Sequence, residues 1–201
     1  MTTRTKILGA ILSVALLGLG VLAGALLARP SVPSEDSADV GFARDMSEHH
    51  AQAVEMGMIA YQNAVTPAVR TLGGDIALTQ QGQFGMMQAW LRDWGYGPTG
   101  EGKPMAWMKD GESYLDGNRM PGMATREEIN QLRSAKGKDL DILFLQLMLR
   151  HHVGGRHMID GALAEASDPE VLRLAEQMKQ TQGTEVAVIE GMLKDLGAKP
   201  L

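Results

Sequence analysis

Phe42, Met46, His49, Ala53, Met56 and Ala60 follow one another at spacings of 4, 3, 4, 3 and 4, and Phe144, Met148, His151, Gly155, Met158 and Ala162 repeat the series. Such spacing draws one apolar stripe along each of two helices, the seam by which a helix packs into a bundle. A second pair of helices is announced by Thr66-Pro67 and Asp168-Pro169, each an N-cap residue followed by proline at the first helical position. Gly95 and Gly197 stand where their C-terminal caps belong. Val69, Leu72, Ile76, Met87, Leu91 and Trp94 line one of these helices, and Val171, Leu174, Met178, Ile189, Leu193 and Leu196 the other. The turns within each pair are short, so partners run antiparallel. The pattern predicts an all-α four-helix bundle built from two helical hairpins.

The two hairpins are copies. Asp39 to Pro98 superposes without a gap on Asp141 to Pro200 at a constant offset of 102 residues, matching Asp39/Asp141, Met46/Met148, His49/His151, His50/His152, Met56/Met158 and Gln80/Gln182 among others. Neither copy can bury its apolar face alone, so the two complete one core. The reading is repeat one at 39–98, a connection at 99–138 and repeat two at 139–200, together a domain over 39–201. The connection is rich in Gly, Pro and Met as far as Met123, and Thr125-Arg-Glu-Glu128 is a capping box that predicts a short helix through Leu132. A loop of this length inside a domain is either functional or disordered. Its two Met-x-x-Met pairs, Met105/Met108 and Met120/Met123, favour function: exposed thioethers in a flexible connection that pass metal to the bundle, while the remainder caps it.

Ahead of the bundle, Arg4 and Lys6 precede an uncharged run from Ile7 to Ala28, 22 residues. As a helix this spans roughly 33 Å, enough for a bilayer core. Residues 1–29 therefore read as an export segment, either a signal peptide cleaved near Ala23-Gly24-Ala25 or an uncleaved anchor, with the length favouring the anchor. Basic residues before the run keep the N-terminus inside and send the rest out, extracytoplasmic whether membrane-anchored or secreted. Residues 30–38, rich in Pro, Ser and acids, form a tether. No cysteine is present, so there is no disulfide or thiolate, and any soft metal ligand must be Met or His. A net charge of −5 without a basic patch excludes nucleic acid as a partner, and neither a phosphate loop nor a nucleophile elbow occurs.

All five histidines lie in the two motifs, His49 and His50 in one, His151, His152 and His157 in the other. At about 100° per residue from Met46, His49 falls at about −60°, Met56 at about −80° and His50 at about +40°, so His49 centres the seam and His50 sits at its edge. One histidine on an apolar seam is ordinarily a satisfied core residue, and methionine at helical spacing ordinary packing. Two copies converging in one bundle bring together four imidazoles and four thioethers, which need partners when buried. The metal ligands read from this are Met46, His49, His50, Met56, Met148, His151, His152 and Met158, with His157, Met105, Met108, Met120 and Met123 as peripheral ones. Carboxylate bundles that hold iron place Glu three residues before His, whereas here Met46 and Met148 hold that place. Thioether plus imidazole suits copper, as Cu(I). Gln80 and Gln182 either support a histidine by a hydrogen bond or are half-buried amides; Glu48, Glu55 and Arg150 fall on a solvated face, and Trp90, Trp94 and Trp107 on core and cap.

The run Gly122-Met123-Ala-Thr-Arg-Glu-Glu-Ile-Asn-Gln-Leu132, then Asp141, Phe144-Leu-Gln-Leu-Met148-Leu-Arg-His151-His152 and His157-Met158, with Gln182-x-x-Glu185 beyond, closely resembles the bacterial family labelled domain of unknown function 305. The resemblance covers the chain after the tether and implies an exported, ferritin-like bundle, in a family some of whose members bind copper and are linked to copper resistance. Two departures stand out: Gly154-Gly155, where Gly-Ala is common, and Gln83 where the second copy has Glu185. Three functions are consistent with these residues. The first is a non-enzymatic protein that sequesters Cu(I) outside the cytoplasm or hands it to a transfer partner, alone or as a homo-oligomer. The others are an oxidoreductase using copper, or haem held through His and Met, and a structural or partner-binding bundle.

Overall fold

Ser37, whose hydroxyl accepts from the backbone N–H of Val40, starts the first helix of the bundle, α1, Ala38–Asn63. Pro67 opens α2, Pro67–Trp94, which Gly95 ends in the left-handed conformation at φ 85°, open to glycine at no steric cost. Thr125 and Glu128 close the expected capping box and start α3, Arg126–Ser134, two residues longer than predicted. Next come α4, Gly137–Glu165, and α5, Pro169–Asp195, the latter capped by the Asp168 side chain on the N–H groups of Glu170 and Val171. The computed structural model describes residues 15–20 and 32–201. Most of the export segment lies outside the described residues; among those described, no helix is long and apolar enough to cross a membrane.

Within Pro33–Leu201, α1 packs on α2, α4 on α5, and the two histidine-bearing helices α1 and α4 on each other. One pair of carboxylates sets their direction. Asp39, at the start of α1, accepts from Ser167 N, Ser167 Oγ and Asp168 N at 3.0, 3.0 and 2.8 Å, just past the end of α4. Its counterpart Asp141 accepts from Val65 N and Thr66 N at 3.0 and 2.8 Å, just past the end of α1. Each repeat thus caps the other's hairpin turn, and α1 and α4 run antiparallel. Thr66, unlike Asp168, makes no side-chain cap on its helix.

The antiparallel pairing divides the core in two. One cluster holds Met56 and Ala60 of α1, Ile76 of α2, Phe144 and Met148 of α4 and Ile189 of α5. The other holds Phe42 and Met46, Met87 and Leu91, Met158 and Ile159, and Val171, Leu174 and Met178. On every long helix a pair of buried or half-buried polar residues lies between the clusters: His49 and His50, Gln80 and Gln83, His151 and His152, Gln182 and Glu185. A polar layer therefore crosses the middle of the bundle, with apolar packing above and below.

The connection is built into the core, contrary to the expectation of exposed thioethers on a flexible loop. Met105 and Met120 are fully buried in the second cluster, and Met108 and Met123 pack half-buried against it. Asp45 holds this segment by accepting from Met105 N and Trp107 Nε1 at 2.6 and 2.7 Å, and burial pushes its carboxyl above the usual range. Gln52 grips Ala124 at both its N–H and its carbonyl, at 2.6 and 3.0 Å. Trp107 lies on Gly41 and Met108 on Gly161, where a Cβ would collide. Glu55 and Arg150, expected on a solvated face, instead hold α3, through Arg133 and Glu128.

Candidate metal centre

The four motif histidines meet in the polar layer, each buried. The rings of His49 and His151 lie face to face with centroids 3.7 Å apart and planes at 34°, and His152 follows at 6.3 Å from His151. Burial, reinforced by the neighbouring imidazoles, lowers the His49 pKa to about 3 and that of His50, against the opposing hydrogen bond to Gln83, to about 4, and places His151 well below its ordinary value. Neutral imidazole is the form that offers a lone pair.

Which nitrogen offers it follows from the partners. His49 Nε2 faces the carbonyl of Pro121 at 3.1 Å, and His152 Nε2 a carboxylate oxygen of Glu185 at 2.6 Å. Both partners only accept, so Nε2 carries the proton and donates. His50 Nε2 donates in the same way to Gln83 Oε1 at 2.8 Å. Nδ1 of His49, His50 and His152 is buried without a protein partner, as is Nε2 of His151. The amide oxygens of Gln80 and Gln182 are likewise buried and unpartnered. Six acceptors without a protein donor thus share one layer. Imidazoles whose far N–H is fixed on a carbonyl or carboxylate, with the other nitrogen free, are arranged as metal ligands are.

Thioethers bound the layer on both sides, but not as pairs within one motif. Met46 and Met158 belong to one cluster and Met56 and Met148 to the other, because α1 and α4 are antiparallel. Among the described residues, no three His, Cys, Asp or Glu side chains are grouped to hold an ion. His157 does not join: it is exposed and stacks on Tyr114 with centroids 4.4 Å apart. Gln80 and Gln182 make no hydrogen bond to a histidine through their amide oxygens. That partnership belongs to Gln83 and Glu185, one helical turn on. The duplication carries the clue, for each lies 33 residues after its histidine.

Pro121 was invisible to motif reading, since only its backbone acts. Its placement depends on Gly154: a Cβ there would lie 2.3 Å from the Pro121 carbonyl carbon and oxygen. Gly122, at φ 79°, presses likewise on the backbone of Arg150 and His151. Gly155 admits the His49 ring, whose Cε1 is 3.0 Å from where a Cβ would stand. Replacing Gly154 with alanine is therefore expected to push Pro121 off the bundle and free the His49 ring, at about 1–3 kcal/mol of stability. Thermal melting and faster amide exchange at 120–124 would report it; wild-type exchange there would refute the contact.

Residues 39–193 match the family described as domain of unknown function (DUF305). Among curated proteins none matches the sequence significantly. The fold is similar to that of a presumed secreted DUF305 protein from Streptomyces coelicolor, at 42% identity and TM-score 0.78 over 84% of this chain and 99% of that one. It is also similar to a DUF305 fragment from Deinococcus radiodurans, at 33% identity and TM-score 0.68, covering 83% and 99%. A more distant likeness, of fold alone, is to CopM in its Cu(I)-bound form, at 21% identity and TM-score 0.61, covering 78% and 96%. The matched region takes in the connection and all but the outermost residues of the two hairpins, and the chain belongs to the DUF305 family.

Proposed function

We propose that this protein binds copper as Cu(I) outside the cytoplasm, to sequester it or hand it to a partner. Its ligands come from His49, His50, His151 and His152, with Met46 and Met158 on one side and Met56 and Met148 on the other. The observation that carries this is the layer of buried acceptors without donors, four imidazole nitrogens among them, enclosed between thioethers. Burying unpaired acceptors is costly, and a bound cation removes that cost. Imidazole and thioether together select Cu(I) over harder ions. That CopM, with the same fold, has Cu(I)-bound and Cu(II)-bound forms supports the choice of metal. The segment at residues 7–28 and the secreted character presumed for the Streptomyces relative support the location. Haem would need the volume that the buried seam methionines and Met105 and Met120 fill. The full-length chain, loaded anaerobically with Cu(I) and desalted, is expected to retain copper without visible colour. A Soret band would point to haem, and copper-free protein to a structural bundle.

A further inference from the structure

Gln83 and Glu185 hold the same place in the two repeats, and each accepts the Nε2–H of its own histidine. One is a neutral amide and the other a carboxylate. We propose that Glu185 sets the charge of the layer, matching it to one monovalent soft ion and making the His152 half the one that retains it. This rests on the metal-binding reading above and adds what that reading leaves open, the number and charge of the ions held.

The other donors of the layer, imidazole, thioether and amide, carry no negative charge. Among the described residues Glu185 is the one carboxylate hydrogen-bonded to a histidine, and its side chain is only 16% exposed beside a fully buried His152. Two charged groups on the histidine-bearing helices have partners of their own. Asp45 is engaged by Met105 and Trp107, and Arg150 pairs with Glu128 through two bonds of 2.8 and 2.6 Å. A cation entering this interior gives up its water and needs a countercharge. One carboxylate balances one unit of positive charge; a divalent ion, or a second monovalent one, leaves charge uncompensated. A carboxylate behind an imidazole also strengthens its free nitrogen as a donor, so Nδ1 of His152 outranks Nδ1 of His50.

Ag(I), a soft monovalent ion without redox chemistry under these conditions, is the probe, titrated calorimetrically into the full-length apo protein. Wild type is expected to take one tight equivalent. Glu185→Gln should bind it about 10- to 100-fold more weakly, the usual effect of losing a residue that supports a ligand. Gln83→Glu added to that variant should restore tight binding, because the mirror-related carboxylate supplies the same charge on the other half. A carboxylate that merely propped the His152 ring could not be replaced from position 83. Gln83→Glu alone, with two carboxylates, should take a second tight equivalent, and this arm stands even if Glu185→Gln fails to fold. Wild-type affinity in Glu185→Gln, failure of the swap to restore it, or a single equivalent in Gln83→Glu would each overturn the proposal. Wild type that takes up neither Ag(I) nor Cu(I) would instead overturn the metal-binding reading beneath it.

Discussion

A chain in which His49 and His151 are both replaced by alanine is expected to lose tight Cu(I) binding and keep its helices. The two rings stack at the centre of the layer, and each brings one unpartnered nitrogen, so the double change removes two of four imidazole donors at once. The loss should exceed the about 10- to 100-fold cost of deleting a supporting residue, since these are the donors themselves. Helix content should survive, because alanine is the best helix former and neither side chain caps a helix. The Pro121 carbonyl loses the His49 donor, which costs about 1–3 kcal/mol if no water replaces it. Competition with a chromogenic Cu(I) chelator under reducing conditions measures the affinity, and circular dichroism the fold. Copper stoichiometry equal to wild type would place the site elsewhere.

The convergence behind that prediction was legible in the chain. The seam spacing put His49 and His151 at the centre of two helix faces, and the constant offset between copies brought them into one core. Thr66-Pro67, Asp168-Pro169 and the Thr125 capping box marked helix starts that the structure reproduces within a residue or two. Helical period says which face a residue occupies, not which way a neighbouring helix runs. The antiparallel packing of α1 on α4 therefore came from Asp39 and Asp141, and it separates Met46 from Met56 into different clusters. The same ambiguity hid the histidines' partners, for Gln80 and Gln83 lie only about 60° apart around the helix. A Gly-rich composition suggested a loose loop because backbone freedom is easy to read from sequence. The side-chain acceptors that remove it, Asp45 and Gln52, stand 60 and 72 residues away.

Acid should unfold the metal-free protein far above the pH at which its carboxylates alone would cause it. An unfolded histidine titrates near 6.5, while burial holds His49 at about 3 and His50 at about 4, and His151 well below its ordinary value. The native state therefore binds fewer protons than the unfolded state between those limits. The stability these neutral rings contribute is complete above about pH 6.5 and drains away as pH falls toward 4 and 3. At pH 5, about 1.5 units below the unfolded value, His49 and His50 each cost about 2 kcal/mol, together a large share of the stability of an ordinary domain, and His151 acts in the same direction. Asp45, raised by burial, acts in the opposite sense but is one group against three. Urea unfolding of the apo chain at pH 7.5 and pH 5.0 is expected to show a loss of several kcal/mol. Cu(I) on the free nitrogens should recover most of it, since a bound metal competes with the proton for the same lone pairs and stabilises the native state. The His49→Ala/His151→Ala chain, with two of the titrating rings gone, should lose far less between the two pH values. Equal unfolding free energies for the wild-type apo protein at pH 7.5 and 5.0 would show that these imidazoles can be protonated in place, and that the layer is more open to water than its burial implies.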